Sequence, residues 1–254
     1  GRRRRPVKRV AALYDVEGNL PALEAVLEEV ERERPDAIVV GGDIVTGPMP
    51  SETLDRLRGL EGAHFLRGNA DRTVVEVKRG ERPEGLNDEV VDALAWTGDR
   101  LSGEQVNFLA GLPQTITLDV NGLGRVCFCH ATPRDDNEIF TERTPDETVA
   151  EMLAGTTEAT IVCGHTHMQF ERRVGRWRVV NAGSVGMPWD DGPEPRWALL
   201  GPDVWLRRSE LDEERAAEAI RATGWPGAEE RLGDTRARDE VLDLFEQATK
   251  QRGR

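Results

Sequence analysis

Between Lys8 and Asp71 the chain alternates short apolar runs with helically spaced segments, and this limits the fold more than any other feature. Lys8 to Tyr14 reads as a first strand. Leu20, Leu23, Val26, Leu27 and Val30 then recur at helical spacing, with Asn19 as N-cap and Pro21 in the tolerated first turn. Pro35 stops that helix. Ala37 to Val40 is a second buried strand ending in Gly41-Gly42-Asp43, and a short helix runs from Ser51 to about Leu60. His64 to Arg67 is a third strand, ending at Gly68-Asn69-Ala70-Asp71. This order predicts parallel strands joined by right-handed crossovers, with ligands at the carboxyl ends of the strands. There the chain places Asp15, Glu17, Asp43 and Asn69.

The second half changes character. Asp88 to Leu112 reads as a helical pair, and from Gln114 short strands with hairpin signals follow. Asn121-Gly122 links Thr115–Val120 to Gly124–Cys129, after which His130 comes at once. Ala159 to Val162 is another buried strand, running into Cys163-Gly164-His165-Thr166-His167. Further strands are expected at 172–174, 176–180, 197–200 and 204–207, and helices at 211–222 and around 237–248. A mixed two-sheet core flanked by helices accommodates both halves. The expected division is a basic tail over 1–7, one domain over 8–208 and a C-terminal helical extension over 209–254.

Composition narrows the function. A net charge of −13 argues against a broad nucleic-acid or membrane surface, with Arg2–Arg5 read as a solvated tail. The apolar runs are too short to span a bilayer and no signal-peptide core is present, so a cytoplasmic location is expected. Three cysteines form no disulfide framework, and Cys127 and Cys129, on one face of a strand, read as packing. Of the four histidines, three follow strand ends. Imidazole is the commonest transition-metal ligand. Together Asp15, Glu17, Asp43, Asn69, His130, His165 and His167 suit two adjacent divalent ions bridged by one carboxylate, about 3.5–4 Å apart.

These motifs resemble those of the calcineurin-like metallophosphoesterases, in particular the small bacterial and archaeal phosphodiesterases. The residues that carry the resemblance are Asp15-Val16-Glu17-Gly18-Asn19, Gly42-Asp43, Gly68-Asn69-Ala70-Asp71, His130, Gly164-His165-Thr166-His167 and Asn181-Ala182-Gly183-Ser184-Val185-Gly186. The resemblance implies an α/β fold, a four-layer α-β-β-α sandwich, here followed by C-terminal helices. It implies one metal on Asp15, position 17, Asp43 and His167, and another on Asp43, Asn69, His130 and His165. Asp43 would bridge them. Manganese is the expected metal, with Fe, Ni, Zn or Mg as alternatives. The implied reaction is phosphodiester hydrolysis by a metal-bridging hydroxide. A phosphomonoesterase, a dinucleotide polyphosphate hydrolase and a non-catalytic metal-binding scaffold are the rival readings.

Two positions depart from the family pattern. Glu17 stands where the family has a histidine, and Ala70 where it has the histidine that protonates the leaving group. Asp43, Asn69 and Asp71 are the expected catalytic residues. Arg134 and Ser184 are expected to contact substrate, and Asp71 with Arg72 to form a pair steadying Asn69. The expected substrate is a small phosphate ester, a nucleotide among the candidates, and self-association is left open.

Overall fold

The computed structural model describes residues 6–234 and 236–252, and the Arg2–Arg5 run lies outside them. The first half contains β1 (Val10–Leu13), α1 (Leu20–Glu33), β2 (Ala37–Val40), α2 (Pro50–Arg58), β3 (Ala63–Phe65), α3 (Asn69–Lys78), α4 (Asp88–Asp99) and α5 (Gly103–Ala110). Next come β4 (Thr115–Val120), β5 (Gly124–Cys129), α6 (Asp146–Met152), β6 (Thr160–Cys163), β7 (Gln169–Val174) and β8 (Trp177–Ala182). The chain closes with β9 (Arg196–Leu200), β10 (Val204–Arg208), α7 (Glu213–Ala222), α8 (Ala228–Gly233) and α9 (Arg238–Arg252). No described helix is long and apolar enough to cross a membrane.

Two five-stranded mixed sheets form the centre, in the orders β10-β9-β1-β2-β3 and β4-β5-β6-β8-β7. β1, β2 and β3 run parallel, as the sequence rhythm predicts. β5, β6 and β8 are the parallel heart of the second sheet. The β4–β5 hairpin turns at Asn121-Gly122.

Strand alternation then sorts side chains into layers. Ala11 and Leu13 point outward into a core shared with α1, α2, α3, α4 and α5. Val10, Ala12 and Tyr14 point inward, against Val126, Phe128, Val162 and Val180 of the second sheet. That sheet's outer face, with Cys127, Cys129, Ile161 and Cys163, packs under Val149 and Leu153 of the α6 region. The result is the α-β-β-α sandwich. All three cysteines are buried and unbridged, and burial pushes the Cys127 thiol up to about 11.

Tyr14 ties the two sheets together. Its ring is fully buried and its hydroxyl donates to the Val162 carbonyl at 3.0 Å. Tyr14→Phe keeps the packing and removes that hydrogen bond, so a loss of about 1 kcal/mol is expected. An unchanged midpoint in urea unfolding would contradict this.

The C-terminal helices pack back on the sandwich. Ala216 and Ile220 of α7 are buried, and Val241 and Leu242 of α9 pack with Met168 and Trp189. Three helices differ from the sequence reading. α3 starts on the Asn69 motif and carries Thr73-Val74-Val75, a β-branched run that speaks against helix. Tertiary packing overrides it, because Val74 and Val75 enter the outer core. α6 and α8, of 7 and 6 residues, are too short to show a periodicity.

Candidate metal centre

The site forms where the strand ends of both sheets meet. Asp15 and Glu17 follow β1, Asp43 follows β2, Asn69 opens α3, His130 follows β5, and His165 and His167 follow β6. The ligand atoms of Asp43, His130 and His165 lie within 4.8 Å of one another, as do those of Asp15, Glu17 and His167. The groups adjoin: His130 Nε2 is 3.3 Å from Asp43 Oδ2 and 3.8 Å from Asp15 Oδ1. His167 Nε2 is 3.5 Å from both Asp15 Oδ1 and Glu17 Oε1. Asn69 Oδ1 joins at 3.0 Å from His130 Nε2. The sequence-predicted ligands thus share one small volume, and Glu17 faces inward with the rest.

Backbone contacts aim these side chains. His130 Nδ1 bonds the Gly41 carbonyl at 2.9 Å and His167 Nδ1 the Met187 carbonyl at 2.8 Å. With Nδ1 as the donor, each ring presents Nε2 to the cluster. The His165 ring meets His130 edge to face at 5.0 Å. Asp15 Oδ2 accepts from the His165 amide at 2.9 Å, while its buried Oδ1 has no hydrogen-bond partner among the described residues. Asp43 Oδ1 accepts from the Ala70 amide at 2.8 Å. Gly68 is required beside it, since a Cβ there would lie 2.0 Å from Asp43 Oδ1.

Five of the seven predicted ligands have left-handed backbone: Asp15 (φ 50°), Glu17 (φ 52°), Asp43 (φ 48°), His165 (φ 67°) and His167 (φ 58°). Each such residue costs on the order of 1 kcal/mol or more, and such strain clusters at functional sites. It persists because the loops are cross-braced. Glu17 N–H donates to the Asp43 carbonyl at 2.9 Å, and Gly186 N–H to the Asp15 carbonyl at 2.9 Å.

Much of that bracing comes from the Asn181–Gly186 motif. Asn181 Nδ2 donates to the Gly164 carbonyl at 2.8 Å and to Thr166 Oγ1 at 3.0 Å. Ser184, expected to contact substrate, is fully buried. Its hydroxyl donates to the Asp15 carbonyl at 2.8 Å and accepts from the Met187 amide at 2.7 Å. It holds a ligand loop, and substrate has no access to it.

Three other expectations fall out differently. The Arg134 guanidinium, expected to contact substrate, is instead engaged by Glu138 and by the Glu151 carbonyl. Asp71 does not pair with Arg72. Arg72 instead forms a two-point pair with Asp136 at 2.9 and 3.0 Å. Asp71 lies fully buried behind the site, its carboxylate accepting from Ile44 N–H at 2.8 Å and Gly68 N–H at 3.0 Å. It caps α3 and fixes the loop carrying Asn69, roles that the motif spacing alone does not reveal.

The electrostatics call for cations. Burial, then the Asp43 and Asp15 charges, push the Glu17 carboxyl well above its ordinary range. Burial and Asp43 raise Asp71 to about 7. Burial acts the same way on Asp43, but His130 and His165 outweigh it and hold Asp43 at about 2. Against the cost of its own burial, His130 is raised to about 10 by Asp43 and Asp15. Crowded buried carboxylates with an unsatisfied inward oxygen fit divalent metal ions.

Comparison with known proteins agrees with this geometry. Residues 9–201 match the calcineurin-like phosphoesterase superfamily domain. The structure resembles a metallophosphoesterase from Sphaerobacter thermophilus, with TM-score 0.71, 26% identity, and 89% of this chain and 98% of that one covered. A hypothetical protein from Pyrococcus horikoshii shares the fold, with TM-score 0.74, 20% identity, and coverage of 93% and 97%. An uncharacterised protein of Methanocaldococcus jannaschii is 28% identical over 246 residues, spanning 88% of this chain and 98% of that protein. With the ligand cluster at the strand ends and the domain match over most of its length, the chain belongs to the calcineurin-like phosphoesterase superfamily.

Proposed function

We propose that the protein hydrolyses phosphodiesters with two divalent metal ions, manganese foremost. The observation that carries this reading is the pair of adjoining ligand groups, each within 4.8 Å. Asp15, Glu17, Asp43 and His167 would hold one ion, and Asp43, Asn69, His130 and His165 the other. Such ions supply Lewis acidity toward phosphoryl oxygens and acidify the attacking water.

The chain's own residues set the rest. Nδ1 contacts to the carbonyls of Gly41 and Met187 hold two imidazoles with Nε2 inward. Ala70 has no proton to give a leaving group, and Asp71 is buried and engaged by two backbone amides. No side chain at either position protonates the departing oxygen. Leaving groups that are already weak bases are therefore favoured, which supports aryl diesters, aryl esters of nucleotides among them, over alkyl esters.

The test compares bis-p-nitrophenyl phosphate with p-nitrophenyl phosphate under Mn, Ni, Co, Zn and Mg. Faster cleavage of the diester with manganese, abolished by EDTA, is expected. A clear monoester preference would transfer the protein to the phosphomonoesterases. No turnover with any of the five metals would leave a metal-binding scaffold.

A further inference from the structure

A cavity of 480 Å³ lies beside the metal centre, between the Gly186–Pro193 loop and helices α7 and α8. That volume is in the range of small-molecule sites. Its walls are partly apolar, with Val185, Pro188, Ala216, Ile220 and Leu232 among them. Asn19 and Gly186 also line it, and these belong to the loops that carry or brace the metal ligands. Gly186 is a thin partition: a Cβ there would lie 2.0 Å from the Val16 carbonyl oxygen and 3.0 Å from Glu17 Cβ.

Three arginines line the cavity, and two are already paired. Arg221 pairs with Glu229 at 3.0 Å, and Arg236 pairs with Asp234. The carboxylate of Asp190 is likewise taken, by Arg238 at 3.1 Å. Arg231 differs. It has no carboxylate within 4.0 Å among the described residues, and its Nη2 reaches only the Gly186 carbonyl, at 3.4 Å. The ring of Trp189 lies 5.9 Å from its guanidinium carbon. Burial lowers its pKa, while the nearby Asp234 and Glu17 charges act in the opposite sense. A half-buried guanidinium that no carboxylate touches directly has hydrogen-bond donors left for an anion, because a planar fork matches phosphate and carboxylate oxygens.

We propose that this cavity is a substrate subsite in which Arg231 holds a second anionic group, so that the preferred substrates are phosphodiesters bearing a further phosphate on an organic body, as nucleotides do. This rests on the phosphodiesterase reading above. The apolar wall accommodates the organic body, and the Gly186 partition sets the second phosphate beside the metal centre. Arg231 lies on α8, beyond the matched superfamily domain at 9–201, so the C-terminal helices supply this selectivity.

The test uses two p-nitrophenyl esters of thymidine 5′-phosphate, identical except that one carries a 3′-phosphate. With manganese, the wild-type chain is expected to show a kcat/KM about tenfold higher for the 3′-phosphorylated ester, expressed in KM. Arg231→Ala is expected to bring the ratio of the two toward one, and Arg231→Lys to keep part of it. A wild-type ratio of one, or a ratio that Arg231→Ala leaves in place, overturns the subsite and reduces Arg231 to a counter-charge for Glu17. Failure of the phosphodiesterase reading shows differently, as no metal-dependent nitrophenol release from either ester. Calorimetry then decides the subsite alone. Thymidine 3′,5′-bisphosphate binding more tightly than thymidine, in an Arg231-dependent way, supports it, and equal binding overturns it.

Discussion

Asp43→Asn is expected to abolish metal-dependent turnover and to lower metal affinity by more than about a hundredfold. Losing a group that merely orients a ligand costs about 10–100-fold, and Asp43 is expected to serve two ions at once. Its environment explains why amide is a poor substitute. Oδ1 accepts from the Ala70 amide and Oδ2 faces His130 at 3.3 Å, so both oxygens are placed as acceptors. An asparagine keeps one acceptor and turns an N–H₂ toward the cations. In chelator the variant is also expected to melt lower, because Asp43 holds His130 protonated up to about 10 and that attraction disappears. The diagnostic readout is the rise in Tm on adding manganese, measured beside metal content and turnover. A variant that keeps the wild-type rise and near-normal hydrolysis would remove Asp43 from the centre.

How far the sequence discloses this centre depends on the kind of contact. The candidate ligands are legible because a parallel strand gathers its carboxyl-end residues with those of its neighbours. Asp15, Asp43, His130 and His165 each follow a strand whose apolar run is plain, and the two-sheet core follows from the same runs. The bracing is not legible. Asn181 and Ser184 hold the Gly164 and Asp15 carbonyls, and hydrogen bonds to backbone leave no residue spacing to read. Arg72 meets Asp136, 64 positions away, where adjacency suggested Asp71. Left-handed backbone at Asp15 and Glu17 is invisible for the same reason: glycine announces it, and these residues do not. Arg231 is the extreme case, reaching Gly186 from a six-residue helix with no motif around it.

Glu17 is one of the two positions where this chain departs from the family pattern, and its surroundings are expected to make the centre's behaviour depend on pH. Burial together with Asp43 and Asp15 raises its carboxyl well above the ordinary range. A folded-state pKa above the unfolded one favours folding while the group is protonated. Without metal, that contribution is complete below about pH 4.3 and is lost as pH rises through the raised value. Asp71, raised to about 7, adds a second loss of the same sign. Metal acts in the opposite direction, because it binds the carboxylate and must displace the proton. Affinity should therefore climb with pH by up to about tenfold per unit for each proton released. Glu17→Gln is expected to flatten the fall of Tm with pH in chelator, leaving the Asp71 part, and to shrink the manganese-induced rise at pH 8. Glu17→His replaces an oxygen donor with a neutral nitrogen donor. It should widen metal use toward Zn and move the activity optimum to lower pH, since less negative charge then opposes ionisation of the attacking water. Thermal shift at pH 6 and pH 8, with and without each metal, checks both variants. Unaltered pH slopes in the two of them would mean that Glu17 plays no part in holding the first ion.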